Sequence, residues 1–355
     1  MKLFILCLSL SITPLLQAAD CHTTDIISGG TFNCDNLYVD TVLTIGTDPQ
    51  PIIINVVGET IISANIMING ANGLTIANNA DSPGGVGGPG AGLGGERNFG
   101  NPTDGINVVP LPPSASDGNA IVNVNGVCGN GGGGGGFGTA GVQGALCPGG
   151  SAVPAVGGSS VAPAEFDFTL ALFRGGFGGG CGDERSPRDE VGSGGGGGGG
   201  IHINAGGNIT INSGVTISAR GGNGGQALLD AGGGGGGGSG GAVWLKTIGV
   251  ITNSGTIDLR GGDGGIAVSL GHGGAGGDGS YMLESSTGTI TGTGLRSPTL
   301  TTTPSIAAQN MTSSISCASV KMKNSDNFAQ MTLGFALAAL IASMLKILLR
   351  SRLKT

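Results

Sequence analysis

The side chains that could carry out chemistry in this chain are few and far apart. Its three histidines, His22, His202 and His272, stand at no zinc-ligand or triad spacing from a cysteine, serine or carboxylate. Ser239 lies in a G-x-S-x-G match, the pattern of a nucleophile elbow, but a polyglycine run satisfies that expression by composition alone. The same holds for G-x-G-x-x-G. We therefore predict a non-enzymatic protein with no catalytic, cofactor-binding or metal site.

Two further clusters have a binding interpretation and a plainer one. Residues 273–278 read GGAGGD, like the start of a calcium-binding nonapeptide, but Ser280 replaces the expected large apolar residue and no second copy follows to share the ion. We interpret this segment as a turn. The densest charge cluster is either a partner-binding site or a solvated loop, and we favour the loop. It consists of Asp183, Glu184, Arg185, Arg188, Asp189 and Glu190.

The cysteines predict disulfide bonds. Six remain once Cys7, which lies in a predicted leader, is set aside, and an even number outside the cytoplasm favours pairing. Proximity favours the pairs Cys21–Cys34 and Cys128–Cys147, and elimination then leaves Cys181–Cys317. Spacing alone does not choose among the possible connectivities.

Both ends of the chain have the composition of targeting and membrane segments. Residues 1–19 combine Lys2, an apolar core and small residues before Asp20, as in a secretory signal peptide. Residues 328–349 are apolar over roughly 33 Å at ~1.5 Å per residue, enough for a transmembrane helix. The basic tail 350–355 marks the cytoplasmic side, and residues 295–327 read as a Ser/Thr-rich stalk. We expect a single-pass membrane protein whose large N-terminal region lies outside the cytoplasm, at the cell surface or in the periplasm.

The region that must position any functional surface is a glycine-rich repeat at residues 194–294. The stretch RGGNGG at 220–225 recurs as RGGDGG at 260–265, and NSGVTI at 212–217 recurs as NSGTI at 253–257. Between the glycines, Ile201, Ile203 and Ala205 face one way while His202 and Asn204 face the other. A fixed period of short strands predicts a solenoid in which each coil buries its apolar residues against the next.

Residues 20–113 also read as short β-branched strands separated by Asn and Gly, and we predict that they begin the solenoid. Residues 114–193 are richer in Gly and Pro, and we predict an insertion that is partly disordered. The predicted fold class is all-β, a parallel β-helix or solenoid with Gly-rich excursions, plus one C-terminal transmembrane helix. The polyglycine runs leave two possibilities open: flexible loops, or packed extended segments similar to polyproline II.

The repeat as a whole, a glycine run leading into an alternating strand and an RGG-x-GG turn, resembles the Gly-rich β-helical segments of secreted and surface proteins, many of them adhesin-like. The resemblance covers residues 26–294, with a gap in the middle. It implies a structural or adhesive role at a cell surface, with a surface protein or a glycan as the ligand.

Charge narrows the range of functions. The formal net charge is −7, which argues against nucleic acid as the partner because phosphate binding needs a basic surface. Our leading hypothesis is a membrane-anchored extracytoplasmic protein with a structural or adhesive role. Two alternatives stay open. One is a β-helical carbohydrate-active enzyme, which would cluster Asp, Lys or Arg on an outer strand face. The other is a mainly disordered Gly-rich wall or matrix protein.

Overall fold

The computed structural model describes residues 19–76, 83–98, 101–102, 105, 118, 120, 128–149, 153–160, 173–183, 190–229 and 231–297. All of them belong to the first of two compact units, Met1–Ser305; the second, Ile306–Thr355, lies outside the described residues. Among the described residues no helix is long and apolar enough to cross a membrane. The predicted leader up to residue 18, most of the predicted stalk and the predicted span at 328–349 lie outside them.

The described part of the chain is all-β, as predicted. Apart from a short 3-10 turn at Thr23–Asp25, its regular elements are strands, which are brief because Gly, Asn and Pro recur between the β-branched runs. In chain order they are β1 (Cys21–His22), β2 (Gly30–Cys34), β3 (Leu37–Val39), β4 (Leu43–Thr44), β5 (Ile52–Val56), β6 (Thr60–Ile62), β7 (Ile66–Met67), β8 (Thr75–Ile76), β9 (Arg97–Asn98), β10 (Asn101–Pro102), β11 (Val191–Gly192), β12 (Gly200–Ala205), β13 (Ile209–Ile211), β14 (Thr216–Ser218), β15 (Ala242–Thr247), β16 (Ile251–Asn253), β17 (Thr256–Asp258), β18 (Ser280–Ser285), β19 (Ile290–Thr291) and β20 (Leu295–Ser297).

Three parallel sheets contain most of these strands. Sheet A has the order β1-β3-β6-β13-β16-β19, sheet B the order β2-β5-β12-β15-β18, and sheet C the order β4-β7-β14-β17-β20. The chain visits sheets B, A and C in that order from β2–β4 through to β18–β20, and we call each such set of three strands a repeat. Each strand pairs in parallel with its equivalent in the next repeat. Two antiparallel pairs, β8 with β11 and β9 with β10, lie outside the three sheets.

The second and third repeats are direct neighbours although a long stretch of chain separates them. Strand β5 pairs with β12, with Ile54 opposite Ile203, and β6 pairs with β13. The strands of residues 20–76 and of residues 200–297 therefore form one continuous stack. The intervening chain leaves the stack after β7 and returns to it at β12.

The main core lies inside the three sheets. On sheet B, one inward-facing ladder runs Phe32–Ile54–Ile203–Leu245–Leu283, one residue from each repeat. The last four of these side chains are buried. The alternation predicted for β12 is confirmed, since Ile201, Ile203 and Ala205 belong to this core. Fully burying one such aliphatic side chain stabilises the fold by about 1.5–3 kcal/mol. Because these side chains stack on their equivalents in adjacent repeats, each repeat depends on its neighbours for most of its stability.

The polyglycine runs are packed segments joined by backbone hydrogen bonds. Within 232–241, successive N–H groups point to three different neighbours in rotation, with N···O distances of 2.7–2.9 Å. Residues 233, 236 and 239 donate to segment 177–183, residues 234, 237 and 240 to segment 271–277, and residues 235, 238 and 241 to segment 219–225. This period of three is that of a polyproline II helix, which turns once every three residues.

The carbonyl groups of segment 232–241 complete a six-neighbour arrangement. They accept hydrogen bonds from segments 129–135, 192–198 and 259–265. We call this assembly of hydrogen-bonded glycine segments the glycine array. It also takes in residues 83–95, 139–145 and 155–158, so described parts of the predicted insertion are integrated into it. Neighbouring backbones approach so closely that a methyl group on Gly236 would collide with the carbonyl of Gly133.

A second, smaller core joins the glycine array to sheet B. Phe137, Phe173 and Phe177 from array segments pack against Trp244 on the outer face of β15, with Met282 at the margin. The sequence alternation predicts β12 and β15 to be half-buried strands with one solvent-facing side. Instead, the first four residues of each strand are buried on both sides, because the array covers their outer face.

Candidate functional site

His202 is the most buried of the three histidines, and it has a packing role. Its side chain is 2% exposed and stacks on Trp244, with ring centroids 4.0 Å apart and an interplanar angle of 15°. The Phe173 ring lies 5.8 Å away, and neither ring nitrogen of His202 has a hydrogen-bond partner among the described residues. Burial, together with the charge of Lys246, lowers the pKa of His202 to about 4. The ring therefore packs in its neutral form against Trp244 and Phe173.

His22 lies at the opposite extreme, on the surface. Its Nδ1 lies 2.8 Å from Asp40 Oδ2, and its ring stacks on Tyr38 at 5.5 Å between centroids. The hydrogen bond with Asp40 raises the pKa of His22, while the same bond lowers the pKa of Asp40. Thr23 Oγ1 donates to the other oxygen of Asp40, at 3.1 Å, rather than to the histidine. The threonine is thus placed to anchor the carboxylate and is not activated by the imidazole.

The motif residues of the glycine runs are occupied in holding the array together. Ser239 is buried, and its Oγ accepts a hydrogen bond from the Phe177 N–H at 2.7 Å. Asp278 accepts one from the Gly261 N–H of a neighbouring array segment at 3.2 Å. The turn predicted for residues 273–278 is wrong: they form an extended segment whose backbone is hydrogen-bonded to segments 232–241 and 259–265. His272 Nδ1 accepts one from a loop N–H at 3.0 Å. No group of His, Cys, Asp and Glu that could hold a metal ion occurs among the described residues.

The predicted charge cluster is described at its two ends only. Asp183 and Glu190 are both buried, and Glu190 Oε2 accepts a hydrogen bond from the Leu229 N–H at 2.7 Å. The intervening members, Glu184, Arg185, Arg188 and Asp189, lie outside the described residues.

A separate ion-pair group lies at the corner after sheet C. Arg260 contacts Asp258 through two nitrogens, at 2.9 and 2.7 Å, and Arg220 lies 3.9 Å from the same carboxylate. Burial opposes ionisation of Asp258, but its hydrogen bonds with Arg260 and the nearby positive charges outweigh that effect and lower its pKa. The arginines of the two RGG turns are thereby held to the stack.

Two of the predicted disulfides are confirmed. Cys21–Cys34 joins β1 to β2 with a Cα–Cα distance of 5.5 Å, and Cys128–Cys147 closes a glycine-rich segment with a distance of 5.9 Å. Cys181 is buried, and its Sγ lies 3.5 Å from the carbonyl oxygen of Gly192. Its predicted partner, Cys317, lies outside the described residues.

Asparagines were expected between the strands of the stack, but the hydrogen bonds of their side chains to the next repeat were not predicted from the sequence. Each uses its Oδ1 to accept a backbone N–H of the following repeat, at 2.8–2.9 Å. The pairs are Asn36 with Glu59, Asn65 with Thr216, Asn69 with Arg220, Asn72 with Asn223, Asn208 with Val250, and Asn223 with Asp263. The available signal was the recurrence of Asn or Asp at equivalent corner positions, which an alignment of the repeats would have shown.

The outer face of sheet A presents a regular row of side chains. Each of its short strands contributes one outward residue, and the parallel register places these residues in a single row. The row, which we call the sheet A row, consists of His22, Tyr38, Ile61, Thr210, Thr252 and Thr291. Every member is exposed or partly exposed, and strands in a sheet are spaced by about 4.8 Å. The row can present aromatic rings and hydroxyls at a fixed repeat distance.

Comparison with known proteins adds no relative to this description. The chain matches no protein-family model, no curated protein and no solved structure. The candidate function therefore rests on the arrangement of its own residues.

Proposed function

We propose that this chain is a membrane-anchored extracytoplasmic protein whose ectodomain is a β-solenoid with a structural or adhesive role. The repeated B, A, C order of the strands and their parallel register support the solenoid. The apolar segment 328–349 and the basic tail 350–355 support the anchor. The observation that carries the adhesive role is the sheet A row.

The row suits a ligand that is itself periodic, such as a polysaccharide. Aromatic faces stack on apolar faces of sugar rings, and threonine hydroxyls both donate and accept hydrogen bonds. Tyr38 lies at one end, beside His22, and Thr252 contacts Thr291 through their hydroxyl oxygens at 3.3 Å at the other. Because every member comes from a different strand of sheet A, the row keeps its spacing for as long as the stack holds.

Anchoring is tested by fractionating cells that express the full chain. We expect the mature chain to stay with membranes after a high-salt wash and to be released by detergent. A chain that is fully soluble without detergent contradicts the anchor and leaves the solenoid untouched.

Adhesion is tested by co-sedimenting the detergent-solubilised chain with a panel of insoluble polysaccharides. The Thr210→Lys, Thr252→Lys double variant is expected to lose binding, because lysine side chains disrupt the row on two adjacent strands. The matched control, Thr216→Lys, carries its lysine on sheet C and should bind like the wild type. Equal binding by all three proteins contradicts the assignment of this face. Release of reducing ends from the polysaccharide would favour the enzymatic alternative instead.

A further inference from the structure

The distal edge of the glycine array carries an exposed aliphatic surface that neither the stack nor the sheet A row uses. We call it the aliphatic ridge and define it by Leu146, Val153, Leu228, Leu229, Val268 and Leu270. All six are exposed, with Leu229 at 75% and Val153 at 60%. Glycine dominates the array, so exposed aliphatic side chains are few there; Val86, Val142 and Val156 are the others among its described segments.

Backbone contacts bring the ridge residues together. The Val268 N–H donates to the Ala227 carbonyl at 3.0 Å, and Ala227 pairs with Ala267, which stacks the loops carrying Leu228 and Val268. Cys147 Sγ lies 3.1 Å from the Ser269 carbonyl oxygen, so Leu146 adjoins the same loop.

The remaining member, Val153, is joined to Leu146 through one side chain. Asn130 accepts from the Cys147 N–H at 2.9 Å and donates to the Val153 carbonyl at 3.3 Å. The Cys128–Cys147 disulfide fixes this part of the ridge. The loops that carry the six side chains are therefore joined to one another through their backbones, Asn130 and Cys147.

The turn at Leu270 closes the backbone of the outermost loop. Leu270 is the one non-glycine residue with a positive φ, 69°, among the described residues. That conformation lets its N–H donate to the Ala267 carbonyl at 3.2 Å, while the Ala267 N–H donates to His272 Nδ1 at 3.0 Å. Both backbone polar groups of Ala267 are therefore paired within the loop.

The segments that carry the ridge contain little charge in a chain that is acidic overall. Positions 128–160, 226–231 and 266–271 contain one charged residue, Asp230, which lies outside the described residues. The Glu190 carboxylate, which accepts a hydrogen bond from the Leu229 N–H, is buried. With a net charge of −7, two copies repel each other through most faces, whereas a neutral aliphatic surface can meet its own copy without like charges opposed. Symmetric dimers need such a self-complementary patch, and exposed apolar patches on soluble surfaces mark interaction sites.

We propose that the aliphatic ridge is the contact surface of a homodimer, formed by the ridges of two copies about a two-fold axis. The inference does not rest on the membrane anchor, because the ridge lies within residues 128–271. It goes beyond the proposed adhesive role, since a dimer presents two sheet A rows to one ligand and so raises avidity.

The test is the mass of the full-length, detergent-solubilised chain by sedimentation equilibrium across a concentration series. We expect a monomer–dimer equilibrium for the wild type. Val268→Asp should weaken dimerisation at least tenfold, because the two-fold axis buries the new carboxylate twice without a partner. Val57→Asp is the control: Val57 is 74% exposed and lies at a corner of the stack, away from the ridge, so the dimer should persist.

A second measurement keeps the test decisive if Val268→Asp perturbs folding. The fluorescence emission of a bimane label on Leu229→Cys, in a Cys317→Ser background, should shift to shorter wavelength as the protein concentration rises and should return on dilution. Three results overturn the proposal: a wild-type chain that is monomeric throughout, a dimer unaffected by Val268→Asp, or a blue shift in liposomes that does not depend on protein dilution. The last would assign the ridge to a lipid surface.

Discussion

Glycine makes this packing possible at the scale of single residues. Segment 232–241 of the array has six neighbouring segments, and the carbonyls of those neighbours lie close to where a Cβ would be. Glycine loses more conformational freedom on ordering than any other residue, so the runs need the two hydrogen bonds per peptide group that the array supplies. A net gain of about 0.5–1.5 kcal/mol per bond offsets that loss.

A single methyl group in the array should therefore destabilise the protein. We expect Gly236→Ala to lower the free energy of unfolding by about 1–3 kcal/mol, because the new Cβ collides with the Gly133 carbonyl and displaces a packed segment. Gly46→Ala is the matched control, since nothing lies within 4 Å of a Cβ at that position. Urea denaturation followed by circular dichroism measures both. A Gly236→Ala variant as stable as Gly46→Ala would contradict the packing.

Burial of His202 should make the free energy of unfolding depend on pH. Its pKa in the folded protein is lowered to about 4 from 6.5, so the unfolded chain takes up a proton first as the pH falls. The stabilisation by the neutral ring is fully present above pH ~6.5 and is lost progressively towards pH ~4, by up to about 3 kcal/mol.

His202→Phe should remove that part of the pH dependence while keeping a ring against Trp244 and Phe173. The measurement is the difference in unfolding free energy between wild type and variant at several pH values from 4 to 7. Acidic groups such as Asp258 contribute equally to both proteins, so they cancel. A difference that does not change with pH would show that His202 is not a buried neutral ring.

At the scale of elements, side-chain amides fix one repeat to the next. Asn69 Oδ1 accepts from the Ser218 hydroxyl at 2.7 Å and from the Arg220 N–H at 2.8 Å, across the junction between the second and third repeats. No covalent turn joins β7 to β14 there, so these bonds help to set the register where the chain returns from the array.

Removing that acceptor should weaken the junction. We expect Asn69→Ala to cost about 1–3 kcal/mol, because two donors lose their partner in a part-buried corner. Asn69→Asp keeps an acceptor oxygen in place and should retain most of the stability. The urea midpoints of the two variants test this. Equal midpoints would mean that the hydrogen bonds accepted by the Asn69 side chain do not stabilise the corner.

The strands themselves were largely predictable from the sequence, but the strands and segments that pack beside them were not. Alternation in Ile201, Ile203 and Ala205 identifies an inward face, because a strand has a period of two. The burial of His202 and Trp244 was missed, since the array segments that cover them carry isolated phenylalanines with no recurring pattern. The pairing of β5 with β12 was also missed, because nothing local to either strand indicates which distant strand lies beside it.

At the scale of the whole described unit, the stack and the array are two packing systems that share one boundary. The stack buries aliphatic side chains between sheets, and the array buries peptide groups between glycine segments. The second core, around Trp244 and Phe177, joins them along sheet B. Between successive repeats from the second to the fifth, the chain leaves the stack, runs through the array and returns to the stack. Disrupting the packing of the stack or of the array should therefore destabilise the other.

Native-state hydrogen exchange measures whether the glycine array is ordered in solution. Backbone amides of residues 233–241, corrected for the fast intrinsic exchange of glycine, should be protected to within about tenfold of the amides in β12 and β15. Exchange of residues 233–241 at the rate of an unfolded chain, while β12 and β15 remain protected, would show that the glycine runs are loose loops and would contradict the account.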